Sequence, residues 1–235
     1  MFGDLLRIVG DYVLILALIL LFMLPFYLVY YLRRNRDGEV KLNLSRHLEN
    51  FFLSRQANYL IFFWAMGEAL IWFVIPEFLL LLMVFMRIRR KRELLVYDLG
   101  GTMAGTIVAF FIHASPATIA GLPYVQPAMV EQTMAWYDKL GVWGLIYQPF
   151  SGVPYKVFTL TATAAGLSLV TFVVIAVLVR MSRYLVAFGL FVALYPGLHR
   201  LVSRNYVKLF LVAVFIFSLL LLRVSNIFGP GYQVH

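Results

Sequence analysis

Long stretches of apolar residues without a charge constrain this chain more than any other feature. Residues 12–32 form one such stretch of 21 residues, and as a helix it would reach roughly 30 Å, the thickness of the hydrocarbon core of a bilayer. The apolar residues come in long runs instead of the short alternating segments of a membrane β-barrel. We therefore predict an all-α integral membrane protein.

Composition excludes a soluble globular domain. Of the 235 residues, 63% are apolar and only 13% are charged, whereas soluble domains have about 45–50% and about 25%. A chain of this length allows about five to seven membrane segments, which leaves no room for a separate soluble catalytic domain. The net charge is +9. In loops this charge fixes topology and attracts anionic membrane lipids, so we expect no nucleic-acid partner.

The first apolar stretch is predicted to anchor the chain in the membrane. Basic residues follow it at Arg33, Arg34 and Arg36, so its C-terminal end is expected in the cytoplasm. Residues 33–56 are basic and carry apolar residues on one helical face, which favours a segment lying on the cytoplasmic surface. Residues 1–56 therefore make up an N-terminal anchor and an amphipathic segment.

Residues 57–86 form a second apolar block, which Pro76 interrupts. Arg55 precedes the block and the basic run 87–92 follows it, so both flanks favour the cytoplasm. A hairpin that enters the membrane and returns to the same side satisfies both flanks. The alternative is one long helix with a kink at the proline.

A further broken block, residues 141–166, contains Pro149, Gly152 and Pro154 within six residues. Such a segment cannot continue a helix, and non-helical backbone at membrane depth has to be satisfied by protein or by a wet cavity. The preceding loop, residues 114–140, is the poorest in basic residues and is predicted to be external. This block is therefore predicted to be a re-entrant hairpin that enters from the external side.

Spanning helices are predicted after each broken block. The first carries Gly101 and Gly105, a pair spaced for close helix packing. Residues 167–197 are apolar except for Arg180 and Arg183. Two alternatives stay open for these arginines. Either a span ends before them and leaves them in the cytoplasm, or one long helix contains both.

The order of elements is hairpin, span, hairpin, span, with the hairpins entering from opposite faces. That is the outline of an inverted-repeat transporter. We assign residues 57–197 to this membrane core. Residues 198–235 are predicted to form a C-terminal basic segment, a last transmembrane helix over 207–222 and a tail.

Ionisable residues within the apolar blocks are the candidates for function, because a charge inside a bilayer is costly. Glu68 and Glu77 flank the predicted tip of the first hairpin, and Lys156 stands two residues after Pro154. A buried ammonium needs a partner, so we expect Lys156 to form an ion pair, or a close water-bridged contact, with Glu68 or Glu77. The structural alternatives are that Glu77 caps the second arm of its hairpin and that Lys156 reaches a membrane surface.

Several kinds of chemistry are not expected. The chain has no cysteine, its histidines are isolated, and it contains no HExxH or GxSxG motif and no Walker loop. We therefore predict no metal site, no cofactor and no enzymatic activity.

The order of these motifs resembles the DedA family, also called the SNARE-associated or VTT-domain family. The similar stretch runs from about residue 62 to residue 193, and its pieces are Gly67-Glu68-Ala69, Ile75-Pro76-Glu77, Gly100-Gly101 with Gly105, the segment 149–158 and Arg180-Met181-Ser182-Arg183-Tyr184. The segment 149–158, PFSGVPYKVF, is similar to the YqaA-like branch. Many members carry two arginines around this segment, where this chain has Gln148 and Lys156.

The resemblance implies two opposed re-entrant hairpins in a protein of the bacterial inner membrane. Such a protein translocates lipids, including undecaprenyl phosphate and phospholipids, with a dependence on the proton motive force. The resemblance also favours the long helix that contains both arginines.

The expected function is that of a lipid flippase or scramblase. Lys156, Arg180 and Arg183 are expected to bind the phosphate of an anionic lipid, while Glu68 and Glu77 balance the charge and carry protons. The alternatives are a proton-coupled small-ion transporter and a non-catalytic assembly or scaffold protein. Assembly into a homo-oligomer stays open for each of them.

Overall fold

The computed structural model of the chain describes residues 2–35, 47, 50–73, 83 and 91–229, and among these residues the regular secondary structure is helical, with no strand. The helices are, in chain order, α1 (Phe2–Asn35), α2 (Arg55–Glu68), α3 (Lys91–Phe111), α4 (Pro116–Ala120), α5 (Pro127–Leu140), a 3-10 helix (Gly141–Tyr147), α6 (Gln148–Ser151), α7 (Tyr155–Thr161), α8 (Leu169–Arg204) and α9 (Tyr206–Ile227).

Four of the described helices, α1, α3, α8 and α9, are long and apolar enough to cross a membrane. The qualifying stretches are Val9–Arg34, Arg92–Phe111, Leu169–Ala187 and Val207–Val224. Most of each stretch is not buried within the protein, as expected for helices whose apolar side chains face lipid. The predicted helical class is therefore confirmed, as is the presence of helices long and apolar enough to span a membrane.

Helix α8 contains both arginines, as the long-helix alternative predicts, while their position relative to the membrane stays a prediction. It runs for 36 residues without a break, about 54 Å at the usual rise, and both Arg180 and Arg183 lie inside it. Arg180 is fully buried, which a cytoplasmic flank would not require. The long-helix prediction is therefore confirmed.

Helices α2 and α3 are parallel and packed closely through glycines of α3. A Cβ at Gly101 would overlap the carbonyl oxygen of Phe62, and one at Gly105 would lie 2.5 Å from the carbonyl oxygen of Met66. Near the start of both helices, Asn58 Nδ2 donates a hydrogen bond of 2.5 Å to Glu93 Oε1. The predicted packing role of Gly101 and Gly105 is confirmed.

Helix α2 ends well before Pro76. It stops at Glu68, and the carbonyl oxygen of Gly67 accepts hydrogen bonds from the backbone N–H groups of Leu70, Ile71 and Trp72. Pro76 itself and Glu77 lie outside the described residues.

The second broken block is confirmed as a series of short pieces. Pro149 lies in the first turn of α6, where its missing N–H is tolerated. Gly152 follows in a left-handed conformation, with a φ of 76°, which glycine adopts readily. Pro154 then precedes α7. We call residues 149–154 the tip segment.

Aromatic side chains fill the packing around these pieces. Phe22 of α1 lies between Trp64 and Trp72, with ring centroids 5.0 and 4.8 Å away. On the other side, Tyr137 of α5 donates a hydrogen bond of 2.9 Å to the carbonyl oxygen of Phe158 in α7. Burial raises the pKa of the Tyr137 phenol well above its usual value, so the phenol remains protonated and can donate.

Candidate functional site

A buried ion pair joins the end of α2 to the middle of α8. The carboxylate of Glu68 contacts the guanidinium of Arg180, and their side chains are almost fully inaccessible. The ring of Tyr155, at the start of α7, lies beneath the guanidinium at 4.2 Å from centroid to Cζ. A carboxylate and an aromatic face both stabilise a guanidinium removed from water. Three separate elements therefore meet at Arg180.

A hydrogen bond from α3 fixes the Tyr155 ring. The Tyr155 hydroxyl lies 2.8 Å from Thr106 Oγ1, and Thr106 in turn donates to the carbonyl oxygen of Thr102 at 2.7 Å. Because the single hydroxyl proton of Thr106 is used in that second bond, Tyr155 is the donor in the first. The ring is thereby held in place below Arg180.

Lys156 binds backbone oxygens. Its Nζ donates to the carbonyl oxygen of Ile71 at 3.0 Å and to that of Pro123 at 2.6 Å. Among the described residues no direct ion pair joins Lys156 to Glu68, whose carboxylate contacts Arg180. The predicted direct pair with Glu68 is therefore not found, while a water-bridged contact between the two stays a prediction. The other predicted partner, Glu77, lies outside the described residues.

Helix α7 caps the end of α2 through side chains. Besides the bond from Lys156 to Ile71, Thr159 Oγ1 donates to the carbonyl oxygen of Ala69 at 2.5 Å. Carbonyl groups at a helix C-terminus lack partners within the helix, and a positive charge is favourable there. The cap also explains why α2 can stop at Glu68 within apolar surroundings.

A cavity of about 440 Å³ lies next to this ion pair, a size typical of small-molecule sites. Its lining contains both polar and apolar side chains. The polar lining comes from Glu68, Trp72, Gln148 and Arg183. The residues that α9 contributes are all apolar, and the tip segment also contributes to the lining.

The structure brings together most of the predicted site residues. Glu68 and Arg183 line the cavity, together with Pro149, Gly152 and Pro154 of the tip segment. Arg180 lies behind Glu68. Lys156 is not part of the lining, and Gly101 and Gly105 lie in the contact between α2 and α3.

Three further residues of the site were not predicted as such. Tyr155 supports Arg180, while Trp72 and Gln148 line the cavity. The Oε1 atom of Gln148 and the Nε1 atom of Trp72 have no hydrogen-bond partner among the described residues. Gln148 could have been predicted as a site residue, because it stands where many members of the similar family carry an arginine. The sequence around Trp72 gives no comparable signal. Within the described ranges, no cluster of three or more His, Asp or Glu side chains could hold a metal ion.

These features define a protein that is helical in its described residues, with four potential membrane spans and a cavity lined by charged and apolar side chains. No family model matches the chain, and no solved structure matches it significantly. The chain is similar to an uncharacterised protein from Histophilus somni, with 31% identity over 55 residues. The match covers 23% of this chain and 29% of that protein, so it spans less than a third of either. The function has to be argued from the site.

Proposed function

We propose that this protein is a DedA-like transporter of the bacterial inner membrane that moves an anionic phospholipid or polyprenyl phosphate across the bilayer. The observation that carries this proposal is the mixed lining of the cavity. Arg183 and Gln148 supply polar groups, and every residue that α9 contributes is apolar. A lipid has the same combination, with an anionic phosphate attached to hydrocarbon.

The arrangement of the helices supports two opposed re-entrant hairpins. Because α2 and α3 are parallel, the end of α2 and the start of α3 lie at opposite ends of the pair, as expected if the first block enters and returns. The tip segment breaks the second block at Gly152 and Pro154. Irregular backbone of this kind at membrane depth requires protein or a cavity beside it, and the cavity lies there.

In this proposal the two arginines have different roles. Arg183 lines the cavity and binds the phosphate, for which a guanidinium is suited. Arg180 is neutralised by Glu68. A phosphate that approaches Arg180 competes with Glu68, and the displaced carboxylate would then take up a proton. Proton coupling would therefore run through Glu68.

Lys156 has a positioning role in the same scheme. Its ammonium is bound by the carbonyl oxygens of Ile71 and Pro123, and it connects the end of α2 to the start of α7. Phosphate binding is thus carried by Arg183, with Lys156 holding the wall of the cavity.

Reconstitution into liposomes tests the proposal. The purified protein should move labelled phospholipid or polyprenyl phosphate headgroups between leaflets. Arg183→Ala should reduce this rate to the level of protein-free vesicles, because the cavity loses its phosphate ligand. Arg204→Ala is the matched control, since Arg204 is exposed near the end of the same helix, and it should leave the rate unchanged.

The same assay separates the alternatives. Ion flux without headgroup movement would favour a small-ion transporter, and neither activity would favour a scaffold protein. Headgroup movement that is equal in wild type and Arg183→Ala would contradict the assigned site.

A further inference from the structure

We infer that the hydrocarbon chain of the transported lipid binds against one face of α9 and enters the cavity sideways from the bilayer, between α9 and the tip segment. The inference rests on the proposed function and adds to it the chain-binding surface and the route of entry.

One face of α9 contributes apolar residues to the cavity lining. The lining residues Phe217, Leu220, Leu221 and Val224 recur at the spacing of a single helical face. None of these side chains can donate or accept a hydrogen bond, so this part of the lining favours contact with a hydrocarbon chain over contact with a polar headgroup.

The position of Leu220 shows where the cavity opens. Leu220 lines the cavity and is also 55% exposed, more than half of its surface. It lies within Val207–Val224, one of the four stretches able to cross a membrane. A side chain in such a stretch that is exposed on the outer surface faces acyl chains. The cavity therefore reaches the hydrocarbon layer beside Leu220.

The tip segment meets α9 at a residue without a side chain. A Cβ at Gly152 would lie 3.1 Å from Val224 Cγ1, so the two elements are in contact there. Phe150, in the same segment, is 92% exposed, and the apolar surface thus continues outward from this contact. A hydrocarbon chain that enters here has to separate Gly152 from Val224.

The polar part of the lining sets the orientation of the lipid. Gln148 is only 4% exposed and lines the cavity with Arg183, and its Oε1 atom has no hydrogen-bond partner among the described residues. A buried amide of this kind is costly unless a ligand or water completes its hydrogen bonds. The headgroup therefore lies toward Gln148 and Arg183, and the chain extends toward α9.

A reversible cross-link between the two elements tests the route. The chain has no cysteine of its own, so Gly152→Cys with Val224→Cys introduces a single pair. The Cβ position at Gly152 is 3.9 Å from Val224 Cβ, within the roughly 3.5–4.5 Å of natural disulfides. Oxidation in liposomes should lower lipid movement at least tenfold, and reduction should restore it. Each single cysteine variant should be insensitive to oxidant.

A bulky substitution gives a second test that does not change the glycine. Val224→Trp should obstruct the route and lower lipid movement about tenfold. Ile216→Trp is the matched control, because Ile216 is 52% exposed on the same helix and lies outside the cavity lining; it should leave the rate unchanged.

The outcomes separate the route from the proposed function. A wild-type protein that moves no lipid contradicts the proposed function. An active protein that keeps its full rate after complete cross-linking, or that responds equally to tryptophan at 216 and 224, overturns the entry route alone.

Discussion

At the residue scale, the pair of Glu68 and Arg180 dominates the energetics of the site. Each side chain is removed from solvent, and a buried charge without a partner is far less stable than one that is paired. The Tyr155 ring adds a second favourable contact to the guanidinium. The pair therefore has to be treated as a unit when either residue is changed.

Single and double substitutions of this pair should not be additive. Glu68→Gln or Arg180→Met alone removes one partner and should lower the free energy of unfolding by ~3–5 kcal/mol. The double substitution leaves no buried unpaired charge and should cost less than the sum of the two. Unfolding in detergent micelles measures all three variants, and simple additivity would show that the two side chains are not coupled.

Lys156 should matter for stability through its carbonyl partners. Lys156→Met leaves the carbonyl oxygens of Ile71 and Pro123 without their donor, and each unsatisfied group costs ~1–3 kcal/mol. Lys139→Met is the matched control on exposed surface and should change the unfolding free energy little. Equal stabilities of the two variants, measured in the same detergent, would refute the positioning role.

The sequence identifies the charged residues of the site better than their partners. Glu68 and Arg180 stand out because each interrupts an apolar stretch, and the structure joins them. The partners of Lys156 could not be predicted, because every residue has a backbone carbonyl and only the fold shows which ones lack a helical partner. The predicted carboxylate partner of Lys156 was chosen from side chains only, without regard to backbone carbonyl groups.

At the element scale, the contact between α2 and α3 holds the end of α2 beside the cavity. Neighbouring glycines of α3 offer a matched comparison. Gly101 faces the backbone of α2, whereas a Cβ at Gly100 would meet only ordinary contacts, the nearest at 3.6 Å from the Phe62 ring.

Gly101→Ala should destabilise the protein and Gly100→Ala should not. The first inserts a methyl group into the Phe62 backbone and should cost at least ~1–3 kcal/mol. The second adds no overlap and should be neutral or stabilising by up to ~1 kcal/mol, because alanine is the better helix former. Thermal unfolding of both variants provides the measurement; a Gly101→Ala protein as stable as Gly100→Ala would contradict the close approach of the two helices.

Helix ends show where sequence patterns are insufficient. The break at the tip segment was predictable because Pro149, Gly152 and Pro154 mark it. The sequence places Glu68 beside the first hairpin tip, but no signal marks the helix end itself, because the residues that follow are apolar and carry no glycine or proline until Pro76. The cap that permits this end comes from Lys156 and Thr159, which are distant in the chain.

At the scale of the whole molecule, the helical class followed from composition, and the arrangement of the broken elements did not. The number and length of apolar stretches were enough to predict spanning helices. The inverted repeat stays a prediction, as does the insertion of both broken blocks from opposite faces. The orientation of the helices gives it a testable form.

Labelling of single cysteines should place the starts of α2 and α3 on one side of the membrane. Asn58 and Glu93 are hydrogen-bonded, and basic residues adjoin both helix starts. Arg55→Cys and Arg92→Cys should therefore react with an impermeant reagent only from the cytoplasmic side. Lys139→Cys should react only from the external side. Labelling of positions 55 and 92 from opposite sides would contradict the predicted topology.

The most direct test of the whole account is an experimental map of the protein in lipid nanodiscs. The account predicts a lipid in the cavity, with phosphate oxygens roughly 3 Å from the Arg183 guanidinium and a hydrocarbon chain along Leu220 and Leu221 of α9. A cavity filled by protein side chains, or a lipid whose phosphate lies away from Arg183, would contradict it.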